Sequence, residues 1–347
     1  MAARVVHLVG SLPGGDAKEA MGEAVARVGP FLSYLPDGET GERRNWVISM
    51  VEALRSHPDL EVVKAGDWSD YDKVPRLRVR RGHTFTGETV DLGIAGAAQA
   101  ARPAFEALRD QQHASSGAAP LQFQVGIPGD IDLALFTFGP AGALRHRRPF
   151  TDALLDSMRR VRELYGDDVV FQLEIPAEVV LLSRLPGPAR PALARILAGA
   201  VATLATGTAP GTQFGLHLCL GDMNHKAFGR IGDAGVLVDL TNAIARKWPK
   251  ERPLRYVHLP LAHADEPPSP SPAFYAPLHR LRLPPATRII AGFAHEDQDL
   301  DDQRKVRDLV DDAVGVQVGI STSCGLGRRS LTVAQAALDR LAVLAQE

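Results

Sequence analysis

"FGLHLCL", Phe214 to Leu220, is almost continuously apolar, with His217 its one strongly polar side chain. A strand with one wet face alternates polar and apolar residues. This run does not, so it reads as a strand of a parallel sheet covered on both faces. It also holds a rare residue. The 347 residues include two cysteines, and one of them, Cys219, stands two positions after His217.

The same kind of run recurs on either side. Arg4–Val9, Phe31–Pro36, Leu121–Pro128 and Val169–Pro176 precede it; Arg255–Leu261, Arg288–His295 and Val316–Ser323 follow. Most are separated by helical patterns: Asp16–Val28, Ala95–Gln111 (with Pro103 a point of kinking), Thr151–Tyr165, Ala189–Ala205, Val236–Lys247, Asp301–Ala313 and Leu331–Ala345. Ser330 is placed to cap the last of these. Eight strands alternating with helices predict a (β/α)8 TIM barrel, expected as one domain over 1–347. Residues 60–85, "LEVVKAG" and "LRVRRGHTF" around "DWSDYDKVPR", fall outside the repeat. They read as an insertion after the second strand, a hairpin lid. The Pro-rich run Asp265–Pro272 reads as a loop.

Composition narrows the partners. Net charge is −2, with 45% hydrophobic and 23% charged residues. No global field draws in nucleic acid or anionic lipid. No apolar run approaches the ~20 residues of a membrane span, and no secretory leader is evident. Two cysteines exclude a disulfide framework, and reduced thiols in the cytoplasm are the simplest expectation.

In such barrels chemistry sits at the C-terminal ends of the strands. Those ends carry Gly10 and Ser11; Glu39; Asp130; Glu174; His217, Cys219 and Asp222; His258; His295 and Asp297; and Cys324. Side chains alternate along a strand, so His217 and Cys219 face the same side. If that side is the barrel interior, both reach one metal ion, with Cys324 across the mouth. Singly, a buried cysteine is a small hydrophobe and a strand histidine a satisfied core residue. Together, thiolates and an imidazole suit Zn2+. Asp222 and His225 also read as turn residues, and Glu39 has Arg43 and Arg44 nearby as partners. Glu174 is harder to set aside, because a carboxylate at a buried strand end needs a partner.

These strand ends resemble the cobalamin-independent methionine synthase family, specifically its C-terminal catalytic barrel. "HLVGSLP" resembles the family's I-G-S-F-P strand, "DGETGERRNWV" its H-G-E-F-E-R-x-D-M-V segment, and "FQLEIPAE" its Q-I-D-E-P-A motif. "HLC" matches its zinc-binding H-x-C, "STSCGLGRRS" its D-C-G-L-K-T-R segment, and "GFAHEDQD" falls where it has G-V-x-D-x-H. The resemblance implies that His217, Cys219 and Cys324 are zinc ligands. It implies that Gly10 and Ser11 hold a substrate carboxylate, Glu39 and Glu174 its ammonium group, and that His295 donates a proton. Two departures stand out. The family's fourth ligand is a glutamate where this chain has Pro260, which leaves the position to His258, of the same parity, to a thiol or to water. Ile175 also replaces a family glutamate. The family's folate-binding half has no counterpart among these motifs, so the resemblance points to short single-barrel members.

The expected function is zinc-dependent alkyl or methyl transfer to a small-molecule thiol. His295 or Asp297 would protonate the leaving group, and Gly10, Ser11, Glu39, Asp130, Glu174, Asp222 and His225 would shape the substrate site. A zinc-dependent hydrolase or lyase would instead use metal-bound water and lean on Asp222, His225 and Asp297. A metal-free barrel resembling uroporphyrinogen decarboxylase is opposed by the two cysteines. A non-catalytic barrel that binds metal or thiol is the remaining alternative.

Overall fold

In a computed structural model, which describes residues 3–116 and 119–347, the barrel closes through an incomplete stave. The strands are β1 (Tyr34–Pro36), β2 (Leu60–Lys64), β3 (Arg76–Val79), β4 (Gln122–Pro128), β5 (Val169–Glu174), β6 (Gln213–His217), β7 (Leu254–Pro260), β8 (Arg288–Ala294) and β9 (Gly319–Thr322). Seven form one parallel sheet in the order β1-β4-β5-β6-β7-β8-β9. The eighth position belongs to the segment read as Arg4–Val9. It is a rung rather than a regular strand. Val6 bridges in parallel to Leu32 on one side and Ile320 on the other. Val6 N donates to Phe31 O at 3.0 Å, and His7 N to Ile320 O at 2.9 Å. The ring is thereby closed, as a TIM-type barrel requires.

The helices are α1 (Ala17–Val28), α2 (Val47–Leu54), α3 (Ile94–Ser116), α4 (Asp130–Tyr165), α5 (Pro176–Ser183), α6 (Arg190–Thr206), α7 (Gly235–Lys247), α8 (Pro272–Tyr275), α9 (Leu300–Val314) and α10 (Leu331–Gln346). Side-chain caps fix several starts: Asp16 accepts from Glu19 N, Asp299 from Asp302 N, and Ser330 from Val333 N. Gly315, at φ 84, ends α9 in the left-handed conformation. Helix α3 runs through Pro103 without a break. Helix α4 is longer than the Thr151–Tyr165 pattern and is interrupted at Gly139 (φ 72) and His146. Pro140 restarts the helix after Gly139, where a fixed φ and a missing N–H cost little. Periodicity missed α2 and α5, each of 8 residues. The Pro-rich run stays irregular until Pro272 opens α8.

The insertion is a hairpin. Strands β2 and β3 pair antiparallel, apart from the main sheet. No helix among the described residues is long and apolar enough to cross a membrane.

Register builds the barrel interior in levels. Gln172, Gly215 and Tyr256 are neighbours across β5, β6 and β7, and one level up so are Glu174, His217 and His258. The lower level is polar but bonded. His7 Nε2 lies 2.9 Å from Gln172 Oε1, and the Tyr256 hydroxyl lies 3.1 Å from both Gln124 Oε1 and Gln172 Oε1. Gln124 Nε2 donates to the carbonyls of Leu8 and Val9. Gly215 is required there, because a Cβ would lie 2.0 Å from Tyr256 Cζ. This bonded plug floors the site above it.

Candidate metal centre

Regular pairing of β6 stops at His217, but Leu218 N still donates to His258 O at 3.1 Å. The chain therefore stays extended to Cys219. Cys324 follows β9 in a turn held by Thr322 Oγ1, which donates to Cys324 O at 2.7 Å. One ligand atom from each of His217, Cys219 and Cys324 lies within 4.8 Å of the others. The two sulfurs are 3.8 Å apart. Two Zn–S bonds of ~2.3 Å at a tetrahedral angle separate their sulfurs by ~3.8 Å, so the pair is already spaced for a shared ion.

His258 is not placed as a fourth ligand. Its Nε2 lies 3.0 Å from Thr322 O and its Nδ1 lies 2.8 Å from His217 Nδ1. A carbonyl only accepts, so Nε2 carries the proton and His258 Nδ1 is an acceptor. His217 must then donate from Nδ1, which leaves the lone pair of its Nε2 free. Both nitrogens of His258 are thus engaged, and its place is behind the ligand, fixing the tautomer. Burial, with His258 next in effect, holds the His217 pKa well below 6.5, and burial brings His258 down to about 4. Neutral imidazoles are what ligation needs. Gly292 keeps room for the His258 ring, since a Cβ there would lie 2.5 Å from Nε2.

The three donors open onto a cavity of about 90 Å³ that also exposes Ser11, Glu39, Glu174, Asp222 and Arg328. Glu39 and Glu174 converge over Gly126. A Cβ on Gly126 would meet Glu39 Oε1 at 2.6 Å and Glu174 Oε1 at 2.9 Å, and one on Gly10 would meet Glu39 Oε1 at 3.0 Å. Two glycines therefore clear a space for two carboxyl groups. Glu39 sits at φ 42, a costly backbone for a residue with a Cβ. Burial first, and Glu174 second, raise Glu39 to about 8; burial raises Glu174 to about 7. Gln172 Nε2 donates to Glu174 Oε1 at 3.0 Å. Ser11 is packed tightly against the turn after Cys324, and its carbonyl accepts from Leu326 N and Gly327 N.

The Cys219 and Cys324 sulfurs share a hydrogen bond in which either can donate, and Cys324 lies beside Arg328, whose Nη2 is 3.3 Å from its sulfur and favours its thiolate. Arg328 also bonds Asp222 at 3.1 Å and the Arg44 carbonyl at 2.7 Å. Arg329 takes the same Asp222 oxygen at 2.6 Å and Glu296 at 2.8 Å.

Four expected site residues lie elsewhere. Asp130 opens α4 and is bonded by Thr151 Oγ1 at 2.6 Å, with Arg147 at 3.4 Å. His225 is exposed at a loop tip with φ 57. His295 and Asp297 do not line the cavity. The His295 carbonyl is held by Gln303 of α9 and Arg340 of α10, which turns this strand end toward the helices. His295 Nδ1 accepts from Asp297 N at 3.1 Å, and the Asp297 side chain is exposed.

The sequence reading missed Arg328 and an aromatic wall: Trp46, Trp68, Tyr71, Phe136 and Phe228. Trp68 and Tyr71 come from the hairpin tip. Two aromatic residues in an otherwise polar inserted loop were the available signal.

No family model and no curated protein matches the chain. Solved structures do. A B12-independent methionine synthase from Shewanella sp. W3-18-1, in complex with selenomethionine, aligns over 99% of this chain and 97% of its own, at TM-score 0.61 and 14% identity. A vitamin-B12-independent methionine synthase candidate from Listeria monocytogenes aligns over 100% and 98%, at TM-score 0.53 and 14% identity. A methyltransferase from Methanosarcina mazei aligns over 99% and 94%, at TM-score 0.53 and 13% identity. The chain has the barrel fold of methionine-synthase-type methyltransferases.

Proposed function

We propose that the protein is a zinc-dependent alkyltransferase, methionine-synthase-like, that moves a methyl or other alkyl group onto a small thiol. One observation carries the reading. His217, Cys219 and Cys324, from two strand ends 105 residues apart, meet at the floor of a cavity with their sulfurs 3.8 Å apart. The fold neighbours, two described as methionine synthases and one as a methyltransferase, support it.

His217, Cys219 and Cys324 would hold the ion. When bound, zinc lowers the pKa of a thiol that enters the open side of the site, so that its sulfur is nucleophilic near neutral pH. The chain's own residues do the rest. His258 keeps His217 in the ligating tautomer. Arg328 balances the charge of the Cys324 sulfur. Ser11, Glu39 and Glu174 orient the polar end of the substrate, and Glu39 and Glu174 can exchange a proton with it. His295, Asp297, Asp130 and His225 have no part in this reading.

Purified protein is expected to hold about one zinc per chain, and Cys219→Ser or Cys324→Ser to lose it. Full metal retention in both variants would overturn the proposal.

A further inference from the structure

The inserted hairpin is not needed to build the barrel, yet its tip is fastened to the metal loop. The Tyr71 hydroxyl accepts from Met223 N at 2.9 Å and donates to Lys226 O at 3.2 Å. Asn224 Nδ2 donates to the carbonyls of Trp68 and Ser69 at 3.1 and 3.3 Å. Gly221, two residues after Cys219, has φ 86, and a Cβ there would lie 2.6 Å from the Tyr71 hydroxyl oxygen. The fastening brings two hairpin rings into one wall. Trp68 and Trp46 stand 6.3 and 6.1 Å from Phe136, Phe136 stands 6.3 Å from Phe228, and Tyr71 stacks on Phe228 at 4.3 Å.

Two acids behind that wall lack a cationic partner. Glu39 and Glu174 face the cavity, and neither forms an ion pair within 4.0 Å among the described residues. The cavity's one arginine, Arg328, is engaged by Asp222 and the Cys324 sulfur. Aromatic faces attract a cation that carries alkyl groups rather than hydrogen-bond donors. Burial favours the protonated form of Glu39 and Glu174, and a cation entering beside them favours their ionised form.

We propose that the hairpin completes a pocket for an onium alkyl donor, a sulfonium or quaternary ammonium compound, whose cationic head sits against Trp46, Trp68, Tyr71 and Phe136, while Phe228 backs Tyr71 with its other face under the Arg184 guanidinium. The inference rests on the alkyl-transfer reading and names its donor. The chemistry balances without a further reactant. A thiolate lone pair forms the new S–C bond, the bond from that carbon to the onium atom breaks, and its electron pair returns to sulfur or nitrogen. The leaving group departs neutral and needs no proton, which accords with His295 and Asp297 lying away from the cavity.

The test is calorimetric titration of the zinc-loaded protein with choline and with its uncharged carbon isostere 3,3-dimethyl-1-butanol. Choline is expected to bind at least tenfold more tightly. Trp68→Leu and Phe136→Leu should each weaken choline roughly three- to thirtyfold and leave the isostere nearly unchanged. Tyr71→Phe keeps the ring and the two Asn224 bonds but removes both bonds of the hydroxyl, and should stay within twofold. Equal affinity for the two probes would overturn the proposal. So would an equal loss in Tyr71→Phe and Trp68→Leu, which would make the rings matter only for docking the hairpin. Zinc content is measured separately, so a protein that holds zinc but shows no preference for choline overturns the donor assignment alone.

Discussion

Two strand ends of this barrel look alike in sequence and differ in the structure. At the end of β6 stand His217, Cys219 and Asp222; after β8 come His295, Glu296 and Asp297. Both offer a histidine and at least one carboxylate at the rim where barrel enzymes work. The first set converges with Cys324 on one point, with Asp222 beside it. The second turns away, its backbone tied to α9 and α10. A register shift between Gly292 and Ala294 precedes His295, and beyond such a bulge simple alternation no longer says where a side chain points. A strand-end position is therefore necessary for the site but not sufficient. Arg329 joins the two ends, bonding both Asp222 and Glu296.

The largest expected effect separates them directly. Removing a donor by His217→Ala should cost more zinc affinity than the ~10–100-fold that loss of a supporting hydrogen bond costs, read by competition with a chromophoric chelator. The supporting bond comes next. His258→Phe removes the acceptor that sets the His217 tautomer, and a loss of ~10–100-fold in zinc affinity is expected with the fold retained. Wild-type affinity in this variant would break the assignment of His258 as the orienting residue.

A third region calibrates what burying charge costs without a metal nearby. Asp132 and Glu178 are buried together, and Asp132 Oδ2 and Glu178 Oε2 lack hydrogen-bond partners. Burial first raises both, Asp132 well above its ordinary value and Glu178 to about 7. The native state therefore binds protons that the unfolded chain releases. The pair's stabilisation is complete below the ordinary carboxylate pKa and is lost as pH rises through about 7. Urea melts should show the wild type losing more stability than Asp132→Asn between pH 5 and 8. Parallel pH curves for the two proteins would contradict the shared burial. The smallest effect belongs to the other rim: His295→Ala should change zinc affinity by less than twofold, read by the same competition.

The fold was legible because its signal is repetitive. Runs such as Val169–Glu174 and Phe214–Leu220 are mostly apolar and buried on both faces, and few architectures accommodate eight of them. The sequence could not show that Arg4–Val9 contributes a single rung, since bridging through Val6 depends on how its neighbours twist. Helices α2 and α5 were missed because two turns give too short a period to read. In the site, parity correctly put His217 and Cys219 on one side. It also offered His258 as a fourth ligand, whereas the place of His258 behind His217 depends on a 3.0 Å bond to a carbonyl on another strand. It was silent on Trp68 and Tyr71, which reach the cavity only after the hairpin folds across the barrel mouth.

The most direct test of the central claim is X-ray absorption at the zinc edge, on purified protein with and without a small thiol such as 2-mercaptoethanol. The structure predicts two sulfur neighbours at ~2.3 Å and at least one imidazole nitrogen, with a third sulfur on adding thiol. A first shell of nitrogen and oxygen alone, or a sulfur count unchanged by thiol, would contradict it.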